Sequence, residues 1–274
     1  MLLPDPTDYL HRLGKTGDQL HPIAEAALML SALDHADRDL EPYTAHLAEI
    51  AAAARSEAHL TTNAENGARS LASLLAGHYG YDGDRISYDD PQNADLVAVI
   101  DRRRGMPVAL GILYLHAARA AGFDAVGLNS PWHFLLRICV RGSEALIDPF
   151  NGGAALEHES FGAPPSARGQ PEDSPPMPQP LGDIDVLLRL ENNLKLRALQ
   201  AGDCSRALEV AKRMALIAPR RPDLWMDVAH LNETQGALGA ARIAYEACLT
   251  LAPAGDALHN EAAIGLHGLK RRLN

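Results

Sequence analysis

Cysteine is scarce in this sequence, and the few cysteines present form no framework. The 274 residues include three of them. Cys139 lies in a strand-like run, whereas Cys204 and Cys248 lie in helical runs, and their spacing matches no zinc or disulfide pattern. We therefore expect three small buried hydrophobic side chains and no disulfide bond.

Long apolar runs are also lacking. The longest fall well short of the ~20 residues that a membrane span requires. The N-terminus, MLLPDPTDYLHRLGK, has prolines and acids where a signal peptide would carry a basic end followed by an apolar run. These features argue against a membrane protein and predict a cytoplasmic protein of one or two domains.

Positive charge is in deficit. The net charge is -10; residues 1–182 carry 13 basic and 24 acidic side chains, whereas residues 183–274 carry 12 and 11. Neither part offers the positive field that nucleic acid or an anionic membrane needs. The only local basic cluster is Arg102, Arg103 and Arg104. We interpret it as the solvated last turn of a helix, since cations are favoured at that end.

Signatures of bound cofactors are missing as well. The sequence contains no G-x-x-x-x-G-K-[ST], no G-x-G-x-x-G and no His-Glu-x-x-His. His116, His133 and Asp148 are conceivable metal ligands, but a partly buried, hydrogen-bonded histidine is the simpler interpretation. We expect no cofactor and no metal.

What is present begins with helices. Residues 1–80 read as helical, with Pro22 and Pro42 at two helix starts. In the second of these helices the apolar residues recur three or four positions apart on one face: Tyr43, Leu47, Ile50 and Ala54. A turn-rich stretch follows, and we expect Asn93 to cap the next helix. Gly-Met-Pro then starts an apolar helix over 107–121.

The hydrophobic period changes after Gly122. FDAVGLN, HFLLRICV and ALIDPF are short and β-rich, and Gly142-Ser143 fits a two-residue type II′ turn between the last two. With that turn, Asp148 pairs opposite Arg137 and shares a face with His133. A helical layer followed by an antiparallel sheet predicts an α+β fold.

A proline-rich segment divides the chain. Seven of the eighteen residues from Ala163 to Pro180 are proline, which predicts a stiff exposed linker. We therefore expect a domain over 1–162 that includes the N-terminal helices, a linker over 163–182 and a second domain over 183–274.

The second domain carries an internal repeat. Three pairs of residues are each 34 positions apart: Gly202 and Gly236, Ala207 and Ala241, Pro219 and Pro253. A 34-residue period with small residues at the helix crossing is the tetratricopeptide signature. We expect two repeats and a closing helix.

The candidate chemistry lies in the strands. His133 opens one strand and Asp148 ends the next, as a histidine and its orienting carboxylate would in a Cys-His-Asp relay. The predicted register leaves them four residues apart, roughly 13 Å along the strand. His133 capping a strand, with Asp148 initiating the DPFNGG turn, is an equally physical interpretation.

A nucleophile for such a relay is missing. Residues 105–111, GMPVALG, contain no cysteine, serine, threonine or lysine. Cys139 is six residues from His133 along one strand, about 20 Å away. Ser130 precedes the strand, but Pro131 stiffens the connection.

Four stretches of the sequence are distinctive: GMPVALGILYLHAARAAGFDAVGL, PWHFLLR, LIDPFNGG and, before the repeats, LLRLENNLKLRALQAGD. Together with the repeats, they resemble the bacterial SirB-type family. Its members join a transglutaminase-like, papain-like domain to tetratricopeptide repeats. The resemblance runs from about Ala24 to the C-terminus. It implies that His133 and Asp148 match the relay histidine and aspartate, and that the cysteine position falls at or beside Met106. The family also tends to have an apolar residue and proline there, so this chain resembles a regular member.

These observations favour a non-catalytic protein-binding or regulatory module. His133 and Asp148 would persist as a vestigial relay, and Trp132, Phe134, Phe150 and Asn151 would supply a binding wall. We expect a protein or peptide partner, and we expect binding neither to nucleic acid nor to a membrane. The alternative is a hydrolase or transferase of the peptidase or transglutaminase type, which would use His133 and Asp148 with an unrecognised nucleophile.

Overall fold

The computed structural model describes residues 4–17, 19–129, 134–156 and 178–273. It divides into two compact units, of which the first is 1–6 with 18–187 and the second 7–17 with 188–274. The division therefore falls inside a helix, and a short N-terminal helix groups with the C-terminal repeats. Most of the expected linker, 163–177, lies outside the described residues.

Helices form the first layer of the first unit. They are α2 (Ile23–Ala32), α3 (Glu41–Ala58), α4 (Ala64–Ala72), which continues into a π-helical turn (Ser73–His78), α5 (Leu96–Arg102) and α6 (Pro107–Ala120). The predicted face of α3 is confirmed, because Tyr43, Leu47, Ile50 and Ala54 are all buried. Every residue from Pro107 to Leu115 is buried too, so α6 is the central helix of this unit.

A five-stranded antiparallel sheet forms the second layer. Its strands are β3 (Asp124–Asn129), β4 (Phe134–Val140), β5 (Ser143–Asp148), β6 (Ala154–Leu156) and β7 (Gln179–Leu181), in the order β6-β5-β4-β3-β7. Two short parallel strands, β1 (Asp82–Gly83) and β2 (Arg104–Gly105), pair separately. The architecture is α+β, as the change of period predicts. Residues 179–181, expected within the linker, form an edge strand, a place where Pro180 costs no ladder hydrogen bond.

Two local expectations were wrong. The β4–β5 turn is Arg141-Gly142, because Val140 pairs with Ser143. Arg141 and Gly142 have φ of 49° and 83°, and a type I′ turn requires a positive φ at both central positions. The cap of α5 is Asp95, whose carboxylate accepts from the Val97 and Ala98 N–H groups, and not Asn93.

The second unit is helical throughout its described part. It holds α1 (Pro6–Thr16), most of α7 (Asp183–Gln200), α8 (Cys204–Ile217), α9 (Pro222–Thr234), α10 (Leu238–Leu251) and α11 (Ala257–Leu273). Gly202 and Gly236 have φ of 73° and 75° and make the same turn in successive helix pairs. Ala207 and Ala241 are fully buried where the paired helices cross. This arrangement is the two repeats and closing helix that the 34-residue period predicts.

Candidate functional site

The start of α6 is occupied by a buried methionine. Met106 is the N-cap residue, has extended backbone (φ -81°, ψ 165°) and is 3% exposed. Its N–H donates to the Asn93 carbonyl at 3.0 Å, and its own carbonyl accepts from Leu110. Pro107 follows at the first helical position. The position that would hold a nucleophile therefore holds a thioether that solvent barely reaches.

A polar network fixes the chain on the approach to Met106. The Asp84 carboxylate accepts from the Ile86 and Ser87 N–H groups, the Ser87 hydroxyl and the Arg102 guanidinium, the last at 2.7 Å. Arg102 also donates to Asn93. The hydrogen bond from the Ser87 backbone is the largest of several that lower the pKa of Asp84 to about 2. Asp84 is thus held ionised as the centre of this loop.

Asp148 caps the turn that follows its strand. It is 6% exposed, its Oδ1 accepts from the Phe150 and Asn151 N–H groups, and its Oδ2 accepts from the Asn151 amide at 2.6 Å. These bonds close a 3₁₀ turn over Pro149–Asn151. The turn-initiating interpretation of Asp148 is confirmed.

The observed register also moves Asp148 relative to the prediction. Leu136 pairs with Ile147, so the same register continued by one residue places Asp148 opposite Leu135 and not opposite Arg137. His133 lies outside the described residues, as do Trp132 and Ser130. Contact between His133 and Asp148 stays a prediction.

The remaining candidate binding residues have different environments. Phe134 is 1% exposed and packs within the core. Phe150 covers Gly83, where an added Cβ would lie 2.6 Å from its ring. The Tyr88 ring meets Phe150 edge-on, with centroids 5.7 Å apart. Asn151 is exposed. Of the three that are described, Phe150 and Asn151 reach the surface of the turn, and Phe134 supports it from inside.

One polar group at this turn was not predicted. The Tyr114 hydroxyl of α6 is buried and has no hydrogen-bond partner among the residues described. It lies under Gly153, where an added Cβ would come within 2.3 Å of it. Burial raises the pKa of Tyr114, and the charges of Asp82 and Asp148 raise it further. Sequence reasoning missed Tyr114 because an apolar helical run hides a single tyrosine among core positions.

The arginine triplet separates at the end of α5. Arg103 adopts the left-handed conformation, with φ of 55°, and so turns the chain between Arg102 and Arg104. The Arg103 guanidinium donates to Tyr81 Oη and to His46 Nε2, the latter at 2.5 Å. Because an arginine can only donate, His46 Nε2 accepts and the neutral ring carries its proton on Nδ1, which faces Glu49 at 3.7 Å. Burial lowers the pKa of His46, and the charge of Arg103 lowers it further.

The lowered pKa of His46 predicts a pH-dependent stability. A histidine that stays neutral in the fold binds its proton more tightly in the unfolded chain, so its contribution is present above the unfolded pKa of about 6.5 and is lost as the pH falls below it. Urea unfolding of the wild type between pH 7.5 and 5 should show this loss, and His46→Gln should flatten that part of the profile. His11→Gln, at an exposed site in α1, should leave the profile unchanged. An identical slope in wild type and His46→Gln would refute the assignment.

The cysteines do not converge on this site. Cys248 is buried, whereas Cys139 and Cys204 are half-buried, so the expectation of three buried thiols holds for Cys248 alone. Burial raises the pKa of Cys248, and nearby acidic side chains raise it further.

Iodoacetamide should therefore label the native protein slowly, because neither half-buried thiol lies at the start of α6 and the buried thiol holds its proton. Mass spectrometry of a labelling time course should find Cys248 modified last, and urea-unfolded protein should react at all three positions at similar rates. Rapid stoichiometric labelling of Cys139 at neutral pH would contradict the missing nucleophile.

The described part of the chain shows neither a metal-binding cluster nor a membrane-spanning helix. It holds no group of three or more histidine, cysteine, aspartate or glutamate side chains placed to bind a metal ion. His116, one of the conceivable ligands, hydrogen-bonds to the Leu47 carbonyl at 2.9 Å. Over the same residues, no helix has the length and apolar character needed to cross a membrane.

Comparison with known proteins matches both units. A family model described as the transglutaminase-like superfamily matches residues 41–192, more than half of the chain, and a tetratricopeptide-repeat model matches residues 194–263. The first range includes the start of α6 and the Asp148 turn.

Relatives extend the similarity along the chain. A UPF0162 protein of Xylella fastidiosa is 28% identical over 222 residues, 79% of each chain. A UPF0162 protein of Vibrio cholerae is 32% identical over 139 residues, 50% of this chain and 51% of its own. F-box only protein 21 of Mus musculus is 37% identical over 78 residues, 28% of this chain and 12% of that protein. The last similarity is confined to a small part of a longer protein.

Proposed function

This chain belongs to the transglutaminase-like superfamily, and we propose that it is a protein-binding or regulatory protein that catalyses no reaction. The observation that carries the proposal is Met106, buried at the helix start where the resemblance puts the nucleophilic cysteine. A thioether has no proton to lose and cannot form and release an acyl intermediate. No thiol or hydroxyl occurs anywhere in residues 105–111 to replace it.

In this proposal the relay residues persist for structure and recognition. Asp148 accepts three hydrogen bonds from the turn that presents Phe150 and Asn151. Its Oδ2 accepts one bond and has room for a second, from His133. Phe150 and Asn151 belong to the wall that meets a partner, and the part of Trp132 in that wall stays a prediction.

The partner we propose is a protein or peptide met in the cytoplasm. The tetratricopeptide repeats favour a protein partner, because stacked helical repeats form extended binding surfaces. The net charge of -10 disfavours nucleic acid and anionic membranes.

The test combines activity and stability. Wild type, His133→Ala and Asp148→Asn would be assayed for amidase, esterase and amine-transfer turnover and melted in urea. We expect no turnover from any of them. Asp148→Asn should lower the free energy of unfolding by about 1–3 kcal/mol. The new amide nitrogen would face the Asn151 amide, which now donates to Asp148 Oδ2. Wild-type turnover that His133→Ala abolishes without changing the melt would establish the alternative, a hydrolase or transferase with an unrecognised nucleophile.

A further inference from the structure

The three consecutive arginines have three different environments, and only one of them lacks an acidic or aromatic partner. Arg102 pairs with Asp84, and Arg103 stacks over the Tyr81 ring with its guanidinium carbon 4.7 Å from the centroid. Arg104 donates Nη1 to two main-chain carbonyls, of Gly80 at 3.0 Å and Arg103 at 2.8 Å. No carboxylate of the described chain pairs with Arg104. Its guanidinium is therefore held in place without forming an ion pair within the described residues.

Arg104 lines a cleft of about 610 Å³ beside the Asp148 turn. The polar side chains in the wall come from β1 and the residues beside it, from β2 and from the turn. The lining includes Tyr81, Asp82, Arg85, Arg104, Asn151 and Gly152. This cleft is open to solvent, whereas the Met106 position is closed.

Arg85 fixes one wall of the cleft, and its guanidinium has few donors left for a ligand. Its Nη1 donates to Asp82 and to the Gly83 carbonyl, and its Nη2 donates to the Phe150 carbonyl and to Asn151 Oδ1, both at 2.9 Å. With its four terminal N–H groups engaged, Arg85 is a positioning residue that ties the loop to the turn and orients the Asn151 amide.

Two sets of donors remain for a ligand. Asn151 Nδ2 gives one N–H to Asp148 and keeps the other. Arg104 keeps Nη2 and Nε, whose adjacent N–H groups form the edge that binds the two oxygens of a carboxylate. Both residues line the same cleft and both are fixed by bonds within the chain.

We propose that this cleft binds a carboxylate group of the protein partner, with Arg104 as the charged contact and Asn151 as the neutral one. The proposal rests on the proposed function for the nature of the partner. Asp82 in the wall and the excess of acidic residues over 1–182 disfavour a doubly charged phosphate or a polyanion. The fully exposed Ile86 follows Arg85 in the chain, and Phe150, whose ring meets Tyr88 edge-on, precedes Asn151; these side chains offer apolar contact to the residues beside that carboxylate.

The experiment titrates ¹⁵N-labelled full-length protein and follows the Arg Nε–H and Asn Nδ2 signals by NMR. Sodium N-acetylglycinate is the carboxylate probe, and N-acetylglycinamide and inorganic phosphate are the comparison probes. We expect saturable shifts at Arg104 and Asn151 with N-acetylglycinate alone. Arg104→Gln should weaken the Asn151 response about tenfold or more. Arg69→Gln, at an exposed arginine paired with Glu65, should leave it unchanged.

The outcomes separate this proposal from the proposed function. Equal shifts with N-acetylglycinamide, an unchanged response in Arg104→Gln, or tighter binding of phosphate would each overturn the carboxylate site, whatever the turnover assays show. Turnover by the wild type would overturn the proposed function and leave the titration to stand. If Arg104→Gln fails to fold, Arg104→Lys serves instead. It keeps the charge but not the paired donors, and an undiminished response from it would refute the paired contact.

Discussion

Gly111→Ala should destabilise the first unit by about 1–2 kcal/mol, although alanine is the better helix former. An alanine Cβ at 111 would lie 2.2 Å from Phe134 Cε1, far inside contact distance. The ring has little room to retreat, because it already packs against the backbone of Gly127 on the neighbouring strand β3, where an added Cβ would lie 2.7 Å from Phe134 Cζ. Overpacking of this kind costs about 1–3 kcal/mol and at times more, which exceeds the ~1 kcal/mol that alanine gains over glycine in a helix.

Gly268→Ala is the matched control. It lies in α11, and an added Cβ there meets nothing within 4 Å, so the helix gain of up to ~1 kcal/mol should appear undiminished. Urea unfolding gives the sign for each variant. Hydrogen exchange by mass spectrometry should find the loss for Gly111→Ala in α6 and β4. A Gly111→Ala protein as stable as wild type would mean that the α6–β4 contact is looser than described.

The core was readable because burial repeats with the period of the backbone. The spacing of Tyr43, Leu47, Ile50 and Ala54 identifies the inner face of α3 without any tertiary information. The 34-residue spacing of Gly202 and Gly236 works for a similar reason, since each glycine supplies the positive φ that ends the first helix of a pair.

The polar contacts were less readable, because they depend on residues distant in sequence. Asn93 and Asp95 are both good capping residues. The Asn93 side chain is engaged by Arg102 and by the Ser87 carbonyl, which leaves Asp95 to cap the helix. The hairpin turn failed for a related reason. Both candidate turns contain Gly142, and nothing local signals that Arg141 takes the left-handed conformation.

The candidate site divides along the same line. The helix start at Met106 and the turn at Asp148 follow from local motifs, whereas Tyr114 under Gly153 and the separate environments of the three arginines do not. Three identical residues in a row do not indicate where each arginine side chain points. The left-handed conformation of Arg103 redirects the chain between Arg102 and Arg104.

A second large effect is expected at a buried ion pair of the first unit. Arg119, at the end of α6, donates Nη1 and Nη2 to the two oxygens of Asp183, both at 2.7 Å. Its Nε and Nη2 also donate to the Ala125 carbonyl, and Asp183 accepts from the His21 N–H at 2.8 Å. The side chains of Arg119 and Asp183 are 19% and 2% exposed, so the Asp183 carboxylate is shielded from water and depends on Arg119 for its partner.

Arg119→Leu should therefore lower the free energy of unfolding by about 3–5 kcal/mol, because it leaves the Asp183 charge buried without its partner. Adding Asp183→Asn to Arg119→Leu should recover part of that loss, since asparagine keeps an acceptor for the His21 N–H and carries no charge. Arg69→Ala, which breaks the exposed pair with Glu65, should change stability by less than about 1 kcal/mol. Urea unfolding of wild type, Arg119→Leu, Asp183→Asn and the double variant completes the cycle, and Arg69→Ala is the control. If Arg119→Leu costs no more than Arg69→Ala, or if the double variant is the least stable of the set, the pair does not hold the end of α6 to the start of α7 as the geometry indicates.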